Sequence, residues 1–251
     1  MERDITTITE SYTLPSRGLI YNVPVNPTGQ IRSMTTAEEM KRLSPTDRPF
    51  ENLSSIIEDC LIEKPEISVY DMCLGDYQYL LQRMRVATYG PDYKFSVICP
   101  HCKKIYTQTM SLDDLKIVDF DGTISDEDQE VVLPRTGYKI TLKPRTPRTM
   151  DSILDRLSKI KKDHPTAGDK TLMVTLAAAI SKIDGKPANP ATVETFVNRL
   201  PMADTQALIK KATEFNNLIG LDLNVDCKCP SCGNEFKTPF RDGPEFFGPE
   251  I

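Results

Sequence analysis

Apolar residues recur at helical spacing in several stretches of the chain, and each stretch has a recognisable boundary. A spacing near 3.6 residues predicts helices over residues 50–61 and 171–183. Two further helices are predicted over residues 76–88 and 202–218, because a glycine lies two residues beyond each of them and glycine commonly follows the last turn of a helix. A shorter helical pattern that begins after a capping threonine or aspartate precedes each of the first two helices.

Polar and apolar positions alternate in two other stretches, residues 93–98 and 221–226, which is typical of half-buried strands. Each of these strands runs into a Cys-x-x-Cys sequence. A second strand is expected to return from it, over residues 105–110 in one case and 235–240 in the other. The pattern therefore predicts two short β-hairpins that carry cysteines at their turns.

The same order of features occurs twice along the chain. The sequences LPSRG at residues 14–18 and LPRTG at residues 133–137 each begin a series of a short extended stretch, helices and a strand that ends in Cys-x-x-Cys. Self-similarity of this kind is the signature of an internal duplication. We therefore predict an α+β fold that is mainly helical, with two pseudo-repeated halves joined by a shared ribbon of short β-hairpins.

The duplication also predicts where the parts of the chain begin and end. The first repeat would cover residues 1–118 and the second repeat residues 133–240. Residues 119–132 would form a linker, since residues 119–130 hold six acidic residues and no lysine or arginine. Residues 241–251 would form a C-terminal tail.

Size and composition are those of a folded protein. Of the 251 residues, 39% are hydrophobic and 27% are charged, which is near the globular average. The formal net charge of -5 disfavours a nucleic acid as partner, because proteins that neutralise phosphates usually show a positive excess. There is no membrane segment of roughly 20 apolar residues and no signal peptide pattern, so we expect the protein to stay in the cytoplasm where it is made.

Four of the seven cysteines form two Cys-x-x-Cys pairs, each with a proline after its first cysteine. In a reducing compartment such pairs favour metal binding over disulfides. Two facing pairs would complete the tetrahedral set that zinc takes at Zn–S distances of about 2.3 Å. We predict that Cys99, Cys102, Cys229 and Cys232 hold one structural zinc ion.

The other candidate ligands are weaker. Cys227 could substitute for a neighbouring ligand, whereas Cys60 falls on an apolar helical stripe and is predicted to be a core residue. His101 and His164 are expected to be exposed. Thiol redox chemistry needs a Cys-x-x-Cys at a helix N-terminus, but both pairs here follow predicted strands.

One short stretch suggests an enzyme. Residues 119–123, DFDGT, look like the Asp-x-Asp-Gly-Thr motif of haloacid-dehalogenase-type phosphatases, in which the first aspartate is the nucleophile. That chemistry needs a parallel sheet that alternates with helices, and an acidic segment follows here instead. With only two histidines and no other catalytic set, we expect no enzymatic activity.

Two features leave alternatives open. A run of basic residues without an acidic one consists of Arg135, Lys139, Lys143, Arg145 and Arg148. This run fits either an ordinary exposed strand and helix start or docking on an acidic partner. In the tail, Phe246 and Phe247 either pack back on the ribbon or insert into a partner.

Several motifs of the first half occur together: LPSRGLIY at residues 14–21, MTTAEE at 34–39, Gly75-Asp76 followed by TYG at 88–90, and CPHC at 99–102. This combination resembles the baseplate protein family of T-even-type contractile-tailed bacteriophages. The resemblance implies a role in the baseplate hub, the central part of the tail tip, either as a hub component or as a hub assembly factor. The partners would be other phage baseplate or hub proteins.

On this hypothesis the protein acts without enzymatic activity, in the host cytoplasm during assembly, and it could also stay in the virion as part of the tail baseplate.

An alternative is a nucleic-acid-binding zinc-ribbon protein. That alternative needs a basic, aromatic-studded ribbon face, for which Lys103, Lys104, Tyr106, Phe236 and Lys237 are the candidates.

Overall fold

The computed structural model describes residues 8–166, 168–240 and 244–247. The protein is α+β, with 42% helix and 21% strand, and the strands described form four small antiparallel sheets. The prediction of a mainly helical protein is therefore wrong. Of the predicted tail, residues 241–243 and 248–251 lie outside the described part of the chain, as do residues 1–7 of the predicted first repeat.

The helices largely follow the predicted periodicity. They are α1 (Thr36–Leu43), α2 (Pro49–Cys60), α3 (Leu74–Tyr89), α4 (Asp126–Gln129), α5 (Pro147–Asp163), α6 (Thr171–Ala179), α7 (Pro190–Asn198) and α8 (Met202–Asn216). Side-chain caps are also present at two helix starts. Thr35 forms a capping box with Glu38 at the start of α1, and Thr146 caps α5. The pattern did not predict α4 or α7.

The strands pair only with neighbours of opposite direction. They are β1 (Thr9–Thr13), β2 (Thr28–Arg32), β3 (Asp92–Ile98), β4 (Ile105–Ser111), β5 (Glu130–Val132), β6 (Lys139–Leu142), β7 (Ile180–Ile183), β8 (Lys186–Pro187), β9 (Asn224–Lys228) and β10 (Glu235–Pro239). The pairs β1–β2, β3–β4 and β9–β10 are two-stranded sheets, and β5–β6–β7–β8 is a four-stranded sheet.

The two pseudo-repeated halves that the sequence suggested differ in architecture. The four-stranded sheet of the second half has no four-stranded equivalent among the described residues of the first half, where β1 and β2 form a two-stranded sheet and Ile31 of β2 adds only an isolated bridge to Leu61. The predicted helix 171–183 ends at Ala179, and Ile180–Ile183 forms β7 against β6. β-branched isoleucines suit a pleated, half-buried surface. Residues 180–183 therefore form a strand, although their apolar spacing also fits a helix.

The core consists of two main clusters of buried apolar side chains. The first contains residues from Tyr12 to Leu115 together with Phe240, Phe246 and Phe247, and the second contains residues from Leu133 to Phe215. After the second cluster the chain returns to the first, where Leu221, Leu223 and Val225 pack. This return brings β9 and β10 to the side of the molecule that carries β3 and β4.

Each helix that leads into a cysteine hairpin is anchored by a buried aspartate in its first turn. On α3, Asp76 accepts hydrogen bonds from the N–H of Ser16 (2.9 Å), from the Ser16 hydroxyl and from the Tyr21 hydroxyl (2.6 Å). On α8, Asp204 accepts from the N–H groups of Arg135 (2.7 Å) and Thr136 (3.0 Å). The turns LPSRG and LPRTG are thus fixed to the helices.

The pKa values of these two carboxyls shift in opposite directions. Burial raises the pKa of Asp76 above its usual range, and the hydrogen bonds from Ser16 and Tyr21 only partly offset it. Burial also acts to raise the pKa of Asp204, but the N–H groups of Arg135 and Thr136 outweigh it and hold the pKa below its usual range. Asp204 is therefore the more firmly ionised of the two.

The junction between the two clusters depends on a third buried aspartate, Asp151 of α5. Its carboxylate accepts hydrogen bonds from the N–H groups of Phe50 (3.2 Å) and Glu51 (2.8 Å) at the start of α2, and from the Tyr70 hydroxyl (3.1 Å). The residue before α2, Arg48, makes no side-chain cap. Asp151 therefore caps a helix that lies about one hundred positions earlier in the chain.

We expect Asp151→Ala to lower the free energy of unfolding by about 3 kcal/mol, because it leaves two helix N–H groups and a buried hydroxyl without an acceptor. Urea unfolding followed by circular dichroism measures this change. The control is Asp155→Ala on the same helix, which removes only a surface ion pair with Arg48 and should change the free energy by less than about 1 kcal/mol. Equal losses in the two variants would contradict the cap.

Candidate metal centre

The cysteine pairs lie at the turns of two antiparallel hairpins. The β3–β4 ladder runs to the pair Ile98↔Ile105, and Cys99 and Cys102 lie in the turn between them. The β9–β10 ladder runs to Lys228↔Glu235, and its turn holds Cys229 and Cys232. The return strands that the sequence predicted are confirmed.

The two turns have the same hydrogen bonds. In the first, the N–H of Cys99 donates to the carbonyl of Lys104 (3.0 Å) and the N–H of Lys103 donates to the carbonyl of Cys99 (3.0 Å). In the second, the corresponding bonds run from Cys229 to Asn234 and from Gly233 to Cys229, both at 2.9 Å. Because the backbone conformation is shared, each turn presents its two sulfur atoms in the same way.

The four sulfur atoms converge on one point between the hairpins. The Sγ atoms of Cys99 and Cys232 are 3.7 Å apart, those of Cys102 and Cys229 are 3.6 Å apart, and all four lie within 4.8 Å of one another. A tetrahedral site with Zn–S distances of about 2.3 Å has sulfur–sulfur edges of about 3.8 Å. The group could therefore hold a metal ion with little movement of the side chains.

These distances argue against disulfides, in which the sulfur atoms lie about 2.05 Å apart. They also differ from a redox site, because each Cys-x-x-Cys connects two strands and neither begins a helix. Cys99 and Cys229 are buried, Cys102 is half-buried and Cys232 is exposed. One side of the cluster is thus open to solvent, from which a metal ion can enter.

One thiol of the cluster is already acidic. The backbone N–H of Asn234, together with the neighbouring thiols, lowers the pKa of Cys232 to about 6. The side-chain amide of Asn234 also donates to the same sulfur at 3.4 Å. The thiolate is the form of cysteine that binds metals, so this lowered pKa is compatible with the predicted ligand role of Cys232. Sequence reasoning missed Asn234, although its position two residues after the second cysteine is a signal for such a bond.

Aromatic residues hold the base of the hairpins together. The ring of Phe240 packs edge to face on Tyr93 and Phe95, at centroid distances of 5.5 and 5.7 Å. Phe246 also packs on Tyr93 at 5.5 Å, and Phe247 lies under the guanidinium of Arg42. Of the two alternatives for the tail phenylalanines, the structure thus has them packed back on the protein.

The remaining cysteines and the histidines lie outside the cluster. Cys227, which the sequence left as a substitute ligand, is buried on β9 and does not belong to the group of four. Cys60 is fully buried in the first core cluster, as predicted. His101 and His164 are exposed, which confirms the prediction for both.

Comparison with known families identifies the chain. A family model described as T4 bacteriophage base plate protein matches residues 7–248. The chain belongs to this family. The resemblance inferred from the motifs of the first half is therefore confirmed, and the match extends over the second half as well. No curated protein and no solved structure matches the chain significantly.

Membership makes this a structural protein of the phage baseplate, and phage structural proteins are its partners. Among the described residues, the base plate protein has no helix long and apolar enough to cross a membrane. The four-cysteine cluster is compatible with metal binding in such a protein. The role of these cysteines as ligands stays a prediction.

The phosphatase-like stretch of the base plate protein forms a turn. Asp121 accepts hydrogen bonds from the N–H and the hydroxyl of Thr123, both at 2.9 Å, and Asp119 is exposed beside Arg17. The described sheets are antiparallel, so the parallel sheet that supports phosphatase chemistry is not present in them. The acidic segment continues into α4 and β5, where Glu130 pairs with Lys139.

Lys103 adopts the left-handed conformation at φ 61°, where the second turn of the base plate protein has Gly233 at φ 73°. Only glycine takes this conformation without strain, so we expect Lys103→Gly to raise the free energy of unfolding by about 0.5–1 kcal/mol. Chemical denaturation measures the gain. The adjacent variant Lys104→Gly is the control, because position 104 has an ordinary φ and glycine there should lower stability.

Proposed function

We propose that this base plate protein is a hub component or a hub assembly factor that acts through protein–protein contacts and is stabilised by one structural zinc ion. The observation that carries the proposal is the convergence of four cysteine sulfurs from two distant hairpins in a chain of the base plate family. The ion would join residues about 130 positions apart. It would thereby fix the relative position of the two hairpins.

Zinc is the metal that the ligand set favours. Four thiolates in tetrahedral arrangement select zinc or iron–sulfur chemistry over calcium and magnesium, which prefer oxygen ligands. The two turns, each with a Cys-Pro-x-Cys sequence at the end of a two-stranded hairpin, have the form of a zinc ribbon. A site with four protein ligands leaves no position for a substrate, so we assign the ion a structural role.

A bound ion would add stability that two short hairpins lack by themselves. An isolated two-stranded hairpin is at best marginally stable in water, and β9 and β10 are only five residues long. Metal binding contributes directly to folding where the site does not exist in the unfolded chain. The base of the hairpins is supported by Phe240 and Phe246, so the ion would order mainly the cysteine turns.

Charge supports protein partners over nucleic acid. The formal net charge is -5, and the lysines of the second hairpin are paired with acids, Lys228 with Glu235 and Lys237 with Asp226. These ion pairs lessen the positive potential that a phosphate backbone requires. The ribbon is therefore better suited to contact protein surfaces.

Cross-linking mass spectrometry on phage-infected cells tests the proposed role. A tagged copy of the protein should cross-link to other baseplate proteins during assembly in the host cytoplasm. Its presence in purified virions would identify a hub component, and its absence from virions would identify an assembly factor. Cross-links only to proteins outside the tail would contradict the proposal.

A further inference from the structure

The two cysteine hairpins differ at the pair of residues next to the turn. In the second hairpin, β9–β10, this pair is Lys228 and Glu235, which lie opposite each other and form an ion pair at 3.0 Å. In the first hairpin, β3–β4, the corresponding pair is Ile98 and Ile105. Each pair lies one residue before the first cysteine and three residues after the second. The same place in the fold is thus charged in one hairpin and apolar in the other.

The two isoleucines are exposed to solvent. The exposed fractions are 62% for Ile98 and 70% for Ile105, and the two side chains are direct cross-strand neighbours. A single exposed apolar side chain is normal, but two adjacent ones form a small apolar patch. Since the second hairpin forms the same turn with a lysine and a glutamate, the turn itself does not require isoleucine at these positions.

The face of the first hairpin that carries this patch, which we call the outer face, consists of Ser96, Ile98, Ile105 and Thr107. Ser96 and Thr107 are the next cross-strand pair, and both are exposed. Tyr106 points to the opposite face, because side chains alternate along a strand and its cross-strand partner Val97 is buried. The outer face therefore offers no aromatic ring on which a nucleic-acid base could stack.

Positive charge lies beside the patch. Residues 93–112 contain Lys94, Lys103 and Lys104 and no acidic residue, although the whole chain has a net charge of -5. Lys103 and Lys104 are exposed in the turn that precedes Ile105, and neither has an ion pair within the part of the chain that the structure describes. An apolar patch with cationic groups at its side is complementary to an apolar surface flanked by carboxylates.

The basic run of residues 135–148 is a weaker candidate for docking on an acidic partner. Lys139 pairs with Glu130. The guanidinium of Arg148 forms two bonds with Asp71, at 2.6 and 2.8 Å, while it stacks on Tyr70. These contacts inside the protein occupy two of the five basic residues, so the run does not present a continuous positive surface.

The patch is too small to hold the protein on a lipid bilayer. A single myristoyl chain gives only marginal, reversible membrane binding, and the two isoleucine side chains together have fewer carbon atoms than that chain. A phosphate backbone, in turn, would leave both isoleucines in water. A protein surface can match the isoleucines, the hydroxyls of Ser96 and Thr107 and the turn lysines at the same time.

We propose that the outer face of the first hairpin docks on a baseplate protein whose surface has an apolar centre flanked by acidic side chains. This docking rests on the assembly role proposed for the protein, which supplies such partners. The two isoleucines would be buried at the centre of the contact, and Lys103 and Lys104 would lie at its rim, opposite the carboxylates. The second hairpin, with ion pairs at the equivalent positions, would not take part.

Site-specific photo-cross-linking in phage-infected cells tests the docking face. Thr107→p-benzoylphenylalanine places the photoreactive group on the outer face, and Lys237→p-benzoylphenylalanine places it at the equivalent position of the second hairpin. Position 107 should cross-link to a baseplate protein, within a peptide that contains apolar and acidic residues, and with a yield several-fold above that from position 237. Equal yields from the two positions, or a partner peptide without acidic residues, would overturn the proposal.

A double variant replaces the patch with the ion pair of the second hairpin. Ile98→Lys with Ile105→Glu copies Lys228 and Glu235 into the same turn geometry, so the thermal midpoint should stay close to that of the wild type. The yield from position 107 should fall about tenfold or more, because the burial of two isoleucines is lost. An unchanged yield would contradict the docking patch. A midpoint lower by more than about 5 °C would assign the isoleucines to stability instead of docking.

Charge reversal at Lys104 tests the acidic character of the partner. Lys104→Glu leaves both isoleucines in place and should lower the yield from position 107 several-fold, since a carboxylate would then face carboxylates. The matched control is Lys186→Glu, which makes the same change of charge at an exposed lysine of β8 and should leave the yield unchanged. A yield for Lys104→Glu as high as that for the control would refute an acidic partner surface.

Two probes test the other classes of ligand on the purified protein. Single-stranded DNA and vesicles of phosphatidylglycerol should bind the wild type no better than they bind the double variant Ile98→Lys, Ile105→Glu. Binding of either probe that is lost in the double variant would assign the outer face to nucleic acid or to lipid, and the protein docking site would be wrong.

The docking face and the assembly role fail in different ways. If general chemical cross-linking finds no baseplate protein beside the wild type, the proposed function fails, and the docking site fails with it. If general cross-linking does find baseplate proteins but position 107 cross-links to none of them, the docking face fails while the assembly role stands.

Discussion

Replacing Cys229 with serine should abolish metal binding and disorder both cysteine turns. The Sγ atom of Cys229 lies 3.6 Å from that of Cys102 and is buried, so no solvent ligand can easily take its place. Loss of one thiolate from a four-thiolate zinc site removes most of the binding free energy, and that free energy also stabilises the fold. We expect a decrease of about 4 kcal/mol or more in the free energy of unfolding.

Chemical denaturation and elemental analysis of the same samples measure this prediction. The control is Cys227→Ala, which alters a buried cysteine two residues earlier on β9 and should retain the metal. Hydrogen exchange should show lost protection in β3 and β9 of Cys229→Ser but not in α6. Full metal content in Cys229→Ser would contradict the assignment, and the double variant with Cys227→Ala would then show whether Cys227 had replaced the ligand.

Gly75→Ala should destabilise the protein by about 3 kcal/mol. The first turn of α3 packs directly on the turn after α8, and a Cβ atom on Gly75 would lie 2.6 Å from the carbonyl carbon of Ile219 and closer still to its oxygen. Both groups are backbone, so neither can rotate away. The two elements would have to separate, and overpacking of this kind costs free energy even though alanine favours helix more than glycine does.

The prediction is checked by thermal unfolding of Gly75→Ala beside Gly168→Ala. A Cβ at Gly168 meets nothing within 4 Å, so this control should change the midpoint little. Gly220, which faces Gly75 and has φ 129°, should be equally intolerant of alanine. A Gly75→Ala protein as stable as the control would show that the two core clusters are not held as closely as the structure has them.

The four-cysteine cluster was largely predictable because its determinants are local. A Cys-Pro-x-Cys sequence after an alternating stretch specifies a turn between two strands, and the return strands β4 and β10 begin where the pattern places them. That the two turns face each other does not follow from local pattern. It followed only from the expectation that zinc needs four ligands and that each turn supplies two.

The four-stranded sheet was missed for a physical reason. Residues 171–183 are continuously apolar enough for either a helix or a buried strand, and periodicity cannot separate the two in a short run. The chain makes both, since α6 ends at Ala179 and β7 begins at Ile180. The left-handed Asp184 and Gly185 then turn the chain back, so the sheet depends on tertiary pairing with β6.

The contacts that join the two core clusters were also beyond sequence reasoning. Asp151 caps α2 across about one hundred residues, and Gly75 matters only because Ile219 lies against it. Such pairs have no spacing that a sequence pattern could show. In the structure they hold α5 and α8 against the first cluster, which in turn sets where β9 and β10 emerge beside β3 and β4.

The most direct test of the account is the zinc content of the protein purified without added metal, measured by elemental mass spectrometry on wild type, Cys99→Ser and Cys229→Ser. One zinc per chain in the wild type, absent from each variant, is the predicted result, because one site takes ligands from both hairpins. Two zinc ions per chain, each lost separately, or no zinc in the wild type, would contradict a single ion shared by the two hairpins.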